Sequence, residues 1–146
     1  MTDEQIKGAI RGFLKALVAG DSKQASSFLS PDVVWTEPNG VRKGASEIGT
    51  YIEKIKKAVQ DYKVIENGIG IVVLGNTGII EHNLSGITDG KKWEVPAMCI
   101  YEFKNDKMQN IRTFYDRLSQ AKQAAGGLIA KTAVNSVVNA IEKQLR

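Results

Sequence analysis

The sequence predicts an α+β fold in which three N-terminal helices pack on a strongly curved, mainly antiparallel sheet, with an extra helix at the C-terminus. Three observations lead there. Apolar residues recur at helical spacing as far as Val59, and from Tyr62 the period becomes that of strands. Turn dipeptides then divide the chain at Asn67-Gly68, Gly75-Asn76, Asp89-Gly90 and Asn105-Asp106. Helices followed by a meander place the helices over one face of an antiparallel sheet.

The first helix opens on a capping box, Thr2 with Gln5, and carries the stripe Ile6, Ala9, Ile10, Phe13, Leu14, Leu17 and Val18 up to Gly20. Asp21 with Gln24 opens a short second helix that Ser30-Pro31 stops. A strand from Asp32 to Glu37 follows, delivering the Glu37 carboxylate into a turn set by Pro38 and Gly40. A third helix runs from Ala45 to Val59 with Ile48, Tyr51, Ile52, Ile55 and Val59 inward. The strands expected after it are 62–66, 69–74, 78–88, 91–104 and 107–117. The last three are long enough to curl around an interior.

Two-residue turns at Asp89-Gly90 and Asn105-Asp106 fix a trial register. His82 then faces Ala97, Leu84 faces Val95, Cys99 faces Arg112 and Ala97 faces Phe114. One face collects His82, Cys99, Tyr101, Arg112, Phe114 and Asp116 among apolar residues. The other carries Met98, Ile100, Ile111 and Tyr115 among polar ones, which would leave an apolar outer face for pairing with a second copy. Apolar walls with sparse polar groups are what a small-molecule pocket needs. Trp35, Phe13, Cys99, Tyr101, Arg112 and Phe114 are its expected ligand-binding residues, and Glu37 and His82 its candidate catalytic pair. Arg112 on an inner face requires a partner, with Glu37 or Asp116 at hand.

The chain of 146 residues is one domain in size, with a C-terminal helical tail over 118–146 whose helix, Leu128 to Leu145, carries Val134, Val137, Val138, Ile141 and Leu145 on one stripe. The net charge of +4 is scattered, and the Lys54, Lys56, Lys57 cluster is too short to track phosphates, so nucleic acid is not the expected partner. One cysteine and one histidine exclude an internal disulfide and a multi-histidine metal site. No glycine-rich phosphate loop follows a strand, so no cofactor is expected. The N-terminus is a polar, capped helix, and no apolar run approaches the ~18 residues of a membrane span. A cytoplasmic protein is the expectation.

Phe13 to Asp21, Phe28 to Trp35, Gly44, Glu94 to Met98 and Arg112 to Asp116 together resemble the SnoaL-like group of the nuclear-transport-factor-2-like superfamily, over residues 1 to about 117. The resemblance implies a cone-shaped fold and, commonly, a homodimer. That superfamily holds isomerases, epoxide hydrolases, polyketide cyclases and non-catalytic modules, so it specifies chemistry weakly. In the ketosteroid isomerases the base is an Asp before a Pro, and Glu37 before Pro38 falls at that place. Their oxyanion donors correspond here to Phe13 and roughly Cys99, which cannot do that work. In the limonene epoxide hydrolases an Arg and an Asp lie two apart. This chain has His82 and Leu84 there, and reaching the second Asp position at Thr113 requires a bulge. The SnoaL-type cyclases ask only for an apolar pocket and one acid/base side chain, a place that His82 or Glu37 fills. The sequence thus leaves two readings: an isomerase, cyclase or lyase with Glu37 as base and His82 as acid or orienting group, or a binding or dimerising module without chemistry.

Overall fold

The computed structural model describes residues 1–144. Its elements run α1 (Asp3–Ala19), α2 (Ser22–Ser26), β1 (Leu29–Glu37), β2 (Gly40–Lys43), α3 (Ala45–Ala58), β3 (Gln60–Leu74), β4 (Thr77–Thr88), β5 (Lys91–Lys104), β6 (Lys107–Tyr115), α4 (Arg117–Ala124) and α5 (Gly127–Gln144). The strands form one six-stranded sheet in the order β2-β1-β6-β5-β4-β3. Every pairing is antiparallel except β1 with β6. This is the α+β fold the sequence predicts, with helices over one face of a curved sheet.

Local chemistry sets the element ends as expected. Thr2 and Gln5 form the reciprocal capping box of α1, and Gly20 closes that helix in the left-handed region at φ 74°. Asp21 caps α2 through Gln24 N–H. The Asp89-Gly90 and Asn105-Asp106 turns hold both central residues at positive φ, which suits the twist of the flanking strands. The helices bury Ile6, Ile10, Phe13, Leu14 and Leu17 from α1, and Ile48 and Ile52 from α3, against the sheet. Phe13 meets Trp35 and Tyr101 edge to face, with ring centroids 6.0 and 6.1 Å apart.

Four elements differ from the sequence reading. Asn67-Gly68 is not a hairpin turn: β3 continues through it as an irregularity between Glu66 and Ile71, where Gly68 and Gly70 take positive φ. The turn after Glu37 becomes a hairpin, because β2 pairs back on β1 with Glu37 opposite Gly40. The segment after Arg117 forms α4, capped by Asp116, which accepts from Ser119 N–H. There Gln123 binds both the N–H and the C=O of Glu94, each at 2.9 Å, along the part of β5 that β6 no longer covers. In α5, Val134 and Val138 are half-buried and Val137 is exposed, while Leu145 lies outside the described residues.

The fourth difference rearranges the interior. The β4–β5 register is the expected one, with His82 opposite Ala97 and Leu84 opposite Val95. The turn between β5 and β6 is also as expected, Lys104 facing Lys107. A bulge between Glu102 and Phe103 then inserts Gln109, so Cys99 faces Thr113 and Ala97 faces Tyr115. Met108, opposite Phe103 before the bulge, and Ile111 and Thr113 beyond it all point inward and are buried. Arg112 and Phe114, expected inside, are turned outward, as is the expected side-chain direction of their neighbours reversed. The physical reason is that the bulge keeps a guanidinium out of the core, where an unpaired charge would be costly. Arg112 pairs across the outer face with Glu102, not with Glu37 or Asp116. On β5 and β6 the exposed outer apolar residues are consequently Met98 and Phe114, while Ile111 moves to the core.

This register makes opposite demands on neighbouring residues. Ile111→Ala is expected to cost about 2–5 kcal/mol, as for a buried aliphatic truncation. Phe114→Ala should change stability by no more than about 0.5 kcal/mol. Urea unfolding of the two variants checks this, and the reverse ranking would contradict the bulge.

Candidate functional site

Between the helices and the concave face lies a cavity walled by Trp35, Tyr51, Tyr62, Trp93, Tyr101 and Tyr115, with Leu14, Leu17, Ile55, Val59, Val64 and Leu84 completing its apolar surface. About 80 Å³ of it is open to the centre of a water molecule, and about 590 Å³ is empty when the open mouth is counted. One water needs roughly 10–15 Å³ on the first measure. The cavity thus has room for several waters or one small ring.

Of the residues the sequence singled out, Trp35, Glu37, His82, Cys99 and Tyr101 come together on this wall. Phe13 does not reach it: it stands behind Trp35 and Tyr101, fully buried in the core. Arg112 and Phe114 lie on the opposite face of the sheet. Thr113, Tyr115, Tyr51, Tyr62 and Asn39 take places the sequence reading did not assign.

Glu37 stands at the end of β1 with its side chain only 6% exposed. Arg42 lies opposite Trp35 in the β1–β2 hairpin, so it emerges on the same face and meets Glu37 Oε1 at 2.7 Å. Its guanidinium carbon also sits 3.3 Å from the centre of the Tyr51 ring. Tyr51 in turn meets Trp35 edge to face at 5.7 Å. Burial pushes the Glu37 carboxyl above its ordinary range, outweighing Tyr51, Arg42 and Asn39, which favour the charged form. Asn39 Nδ2 donates to the hydroxyls of Tyr51 at 3.3 Å and Tyr115 at 2.9 Å, tying α3 and β6 to this turn.

The floor is a chain of weakly polar groups. Trp35 Nε1 donates to Thr113 Oγ1 at 3.0 Å, Thr113 Oγ1 lies 3.2 Å from Cys99 Sγ, and Cys99 Sγ lies 3.9 Å from His82 Nε2. Burial pushes the Cys99 thiol up to about 11, so it stays protonated and unreactive. Burial also holds His82 below its usual value, so its ring is neutral. His82 Nδ1 is sealed from the cavity. No group of three or more metal-ligating side chains occurs among the described residues. No described helix is long and apolar enough to cross a membrane.

The raised carboxyl has a stability consequence. Between the ordinary glutamate value of 4.5 and its raised value, the folded state keeps a proton that the unfolded state has lost. Stability contributed by that proton is present below 4.5 and is lost as pH rises through the raised value. Wild type should therefore lose stability relative to Glu37→Gln as pH is raised above 4.5, measured as the difference between their urea midpoints. A constant difference across that range would contradict a desolvated Glu37.

Comparison with known proteins agrees with this architecture. No curated protein matches the chain in sequence. Among solved structures, an LEH-like epoxide hydrolase of M. tuberculosis superposes with a TM-score of 0.73 at 18% identity, covering 89% of this chain and 96% of that one. A putative polyketide cyclase from Silicibacter sp. TM1040 gives 0.73 at 16% identity, covering 86% and 99%. A protein of Catenulispora acidiphila with a ketosteroid isomerase-like fold, solved with trimethylamine, gives 0.73 at 13% identity, covering 80% and 91%. At these identities the likeness establishes the fold alone. The SnoaL-like domain profile matches residues 10–111, most of the chain, and the chain belongs to the SnoaL-like family of nuclear-transport-factor-2-like fold.

Proposed function

We propose that the cavity takes a small, largely apolar carbonyl compound and that Glu37 moves a proton at the carbon beside the carbonyl, as an isomerase, cyclase or lyase would. One observation carries this reading: a carboxylate almost wholly buried on an aromatic cavity wall, its pKa raised by that burial. A general base works best when its pKa approaches the working pH, and desolvation moves a glutamate in that direction. Arg42, Tyr51 and Asn39 all contact the carboxylate and fix its orientation on the cavity wall. His82, with Nδ1 sealed and its ring held neutral by burial, serves as part of the floor.

A second reading is favoured by the ion pair itself. Because Arg42 already partners Glu37, the same cavity can hold a ligand without turning it over. On the outer face, Met98 and Phe114, 43% and 51% exposed, are the residues we propose to pair two copies of the chain.

Deuterium uptake at the α-carbons of cyclopentanone in heavy water, followed by proton NMR, tests the catalytic reading without knowledge of the natural substrate. Wild type should accelerate uptake over buffer, and Glu37→Gln should reduce that acceleration by about 10²-fold or more. Arg42→Gln removes a cation that favours the carboxylate, so the pH at which uptake switches on should move upward. Equal uptake in wild type and Glu37→Gln would remove Glu37 as the base. Binding of cyclopentanone with no enzyme-dependent uptake would leave the ligand-holding reading.

A further inference from the structure

Proton abstraction beside a carbonyl puts negative charge on the carbonyl oxygen, and a site that speeds it must aim a donor there. Several donors on this wall are committed. Trp35 Nε1 gives its proton to Thr113, and Trp93 Nε1 gives its proton to Thr88 Oγ1 at 3.1 Å. Tyr51 is engaged with Glu37 and Asn39, and Tyr101 with Cys99. Nδ1 of His82 is sealed from the cavity.

Tyr62 is different. Its side chain lines the cavity, and its ring lies 6.4 Å from that of Trp93. Its hydroxyl forms no hydrogen bond with another described residue, and it is not among the sealed polar atoms. The backbone is bent to place it. Between the pairs Gln60–Ile87 and Lys63–Ser85, two residues of β3 oppose the single Gly86 of β4, and Asp61 takes a left-handed φ of 50°. A bulge of this kind re-aims the side chain beside it. Gly86 itself has no room for a Cβ, which would lie 2.4 Å from Val59 and 3.0 Å from the Trp93 ring, so both close in around Tyr62. Burial, reinforced by Cys99, Glu37, Tyr51 and Tyr115, pushes the phenol upward, so it remains a donor at any working pH.

We propose that the Tyr62 hydroxyl is the donor that holds the ligand's carbonyl oxygen and the oxyanion formed on it, which makes the ligand a small neutral molecule with a hydrogen-bond acceptor. This rests on Glu37 acting as the base. In the step, the Glu37 carboxylate takes the α-proton, the C–H electron pair becomes the new C=C bond, and the carbonyl π pair moves to oxygen. Tyr62 keeps its proton and hydrogen-bonds that oxygen. The Glu37 carboxylic acid then returns a proton to carbon, and no co-reactant is needed.

Two probes of one ring size separate this claim from the base. Binding of cyclopentanone and of cyclopentene, which lacks the acceptor, is measured by NMR titration, alongside deuterium uptake by the ketone. In Tyr62→Phe the ketone should bind about three- to tenfold more weakly, cyclopentene should bind unchanged, and uptake should fall further than binding. A general loosening of the pocket would weaken both probes alike, and that outcome overturns the assignment. So does ketone binding that Tyr62→Phe leaves unchanged, or a wild type that binds neither probe. If wild type shows the ketone preference but no uptake, Glu37 fails as the base while Tyr62 stands as the ligand's anchor.

Discussion

Gln109, one residue more than the β5–β6 ladder can pair, decides what the cavity is made of. With it, Ile111, Thr113 and Tyr115 face the concave side, and Arg112 and Phe114 face out. Without it the side-chain alternation of β6 would be reversed beyond the turn. Thr113 would then be lost from beneath Trp35 and Cys99, and Tyr115 from its contact with Asn39. A guanidinium would enter an interior whose wall, among the described residues, carries a single formal charge, Glu37. The bulge thus fixes the floor, the mouth and the electrostatics of the site together.

Around Glu37 two effects oppose each other. Removing a carboxylate from water disfavours its charged form, while Arg42, Tyr51 and Asn39 favour it, and desolvation prevails. Arg42 cannot settle the matter, because its guanidinium is divided between the carboxylate and the face of Tyr51. The result is a carboxylate held in one orientation yet readier to accept a proton than a solvated glutamate. That is a useful state for a base, and it is reached without the acid and base constellations of the isomerases or epoxide hydrolases.

The fold was legible because its signals are local. The capping box of α1, the Asp21 cap of α2 and the Asp89-Gly90 turn each act over a few residues, and the β4–β5 register follows from that turn alone. The site was legible only in part. His82, Cys99 and Tyr101 face the concave side as the alternation implied, and Trp35 and Glu37 line the same wall from β1. The misplacement of Arg112 and Phe114 came from assuming strict alternation through β6. Met108 and Ile111, buried but three apart, with a charged residue next, were the sign that one residue did not count. Phe13 was misjudged because helical spacing tells which face is buried and not how many layers separate it from a cavity. For Arg42 there was no sequence signal, since four residues with one apolar side chain do not announce a strand. Tyr62 read only as the start of a strand, because a left-handed Asp61 is invisible until pairing partners are known.

The charge balance of the wall narrows the class of ligand further than the fold does. Among the described residues lining the cavity, Glu37 is the only one with a formal charge, and Arg42 neutralises it from behind. An anionic ligand would find no unpaired cation there, and would lie against the negative faces of the aromatic rings. A cation would compete with Arg42 for Glu37 and Tyr51. A neutral molecule pays neither cost. If it carries an acceptor, it gives the Tyr62 hydroxyl the partner that no described residue provides, and its apolar remainder replaces water against Trp93, Leu84 and Val64. The small size of the cavity then limits the part that must fit inside, leaving any larger portion to extend through the mouth.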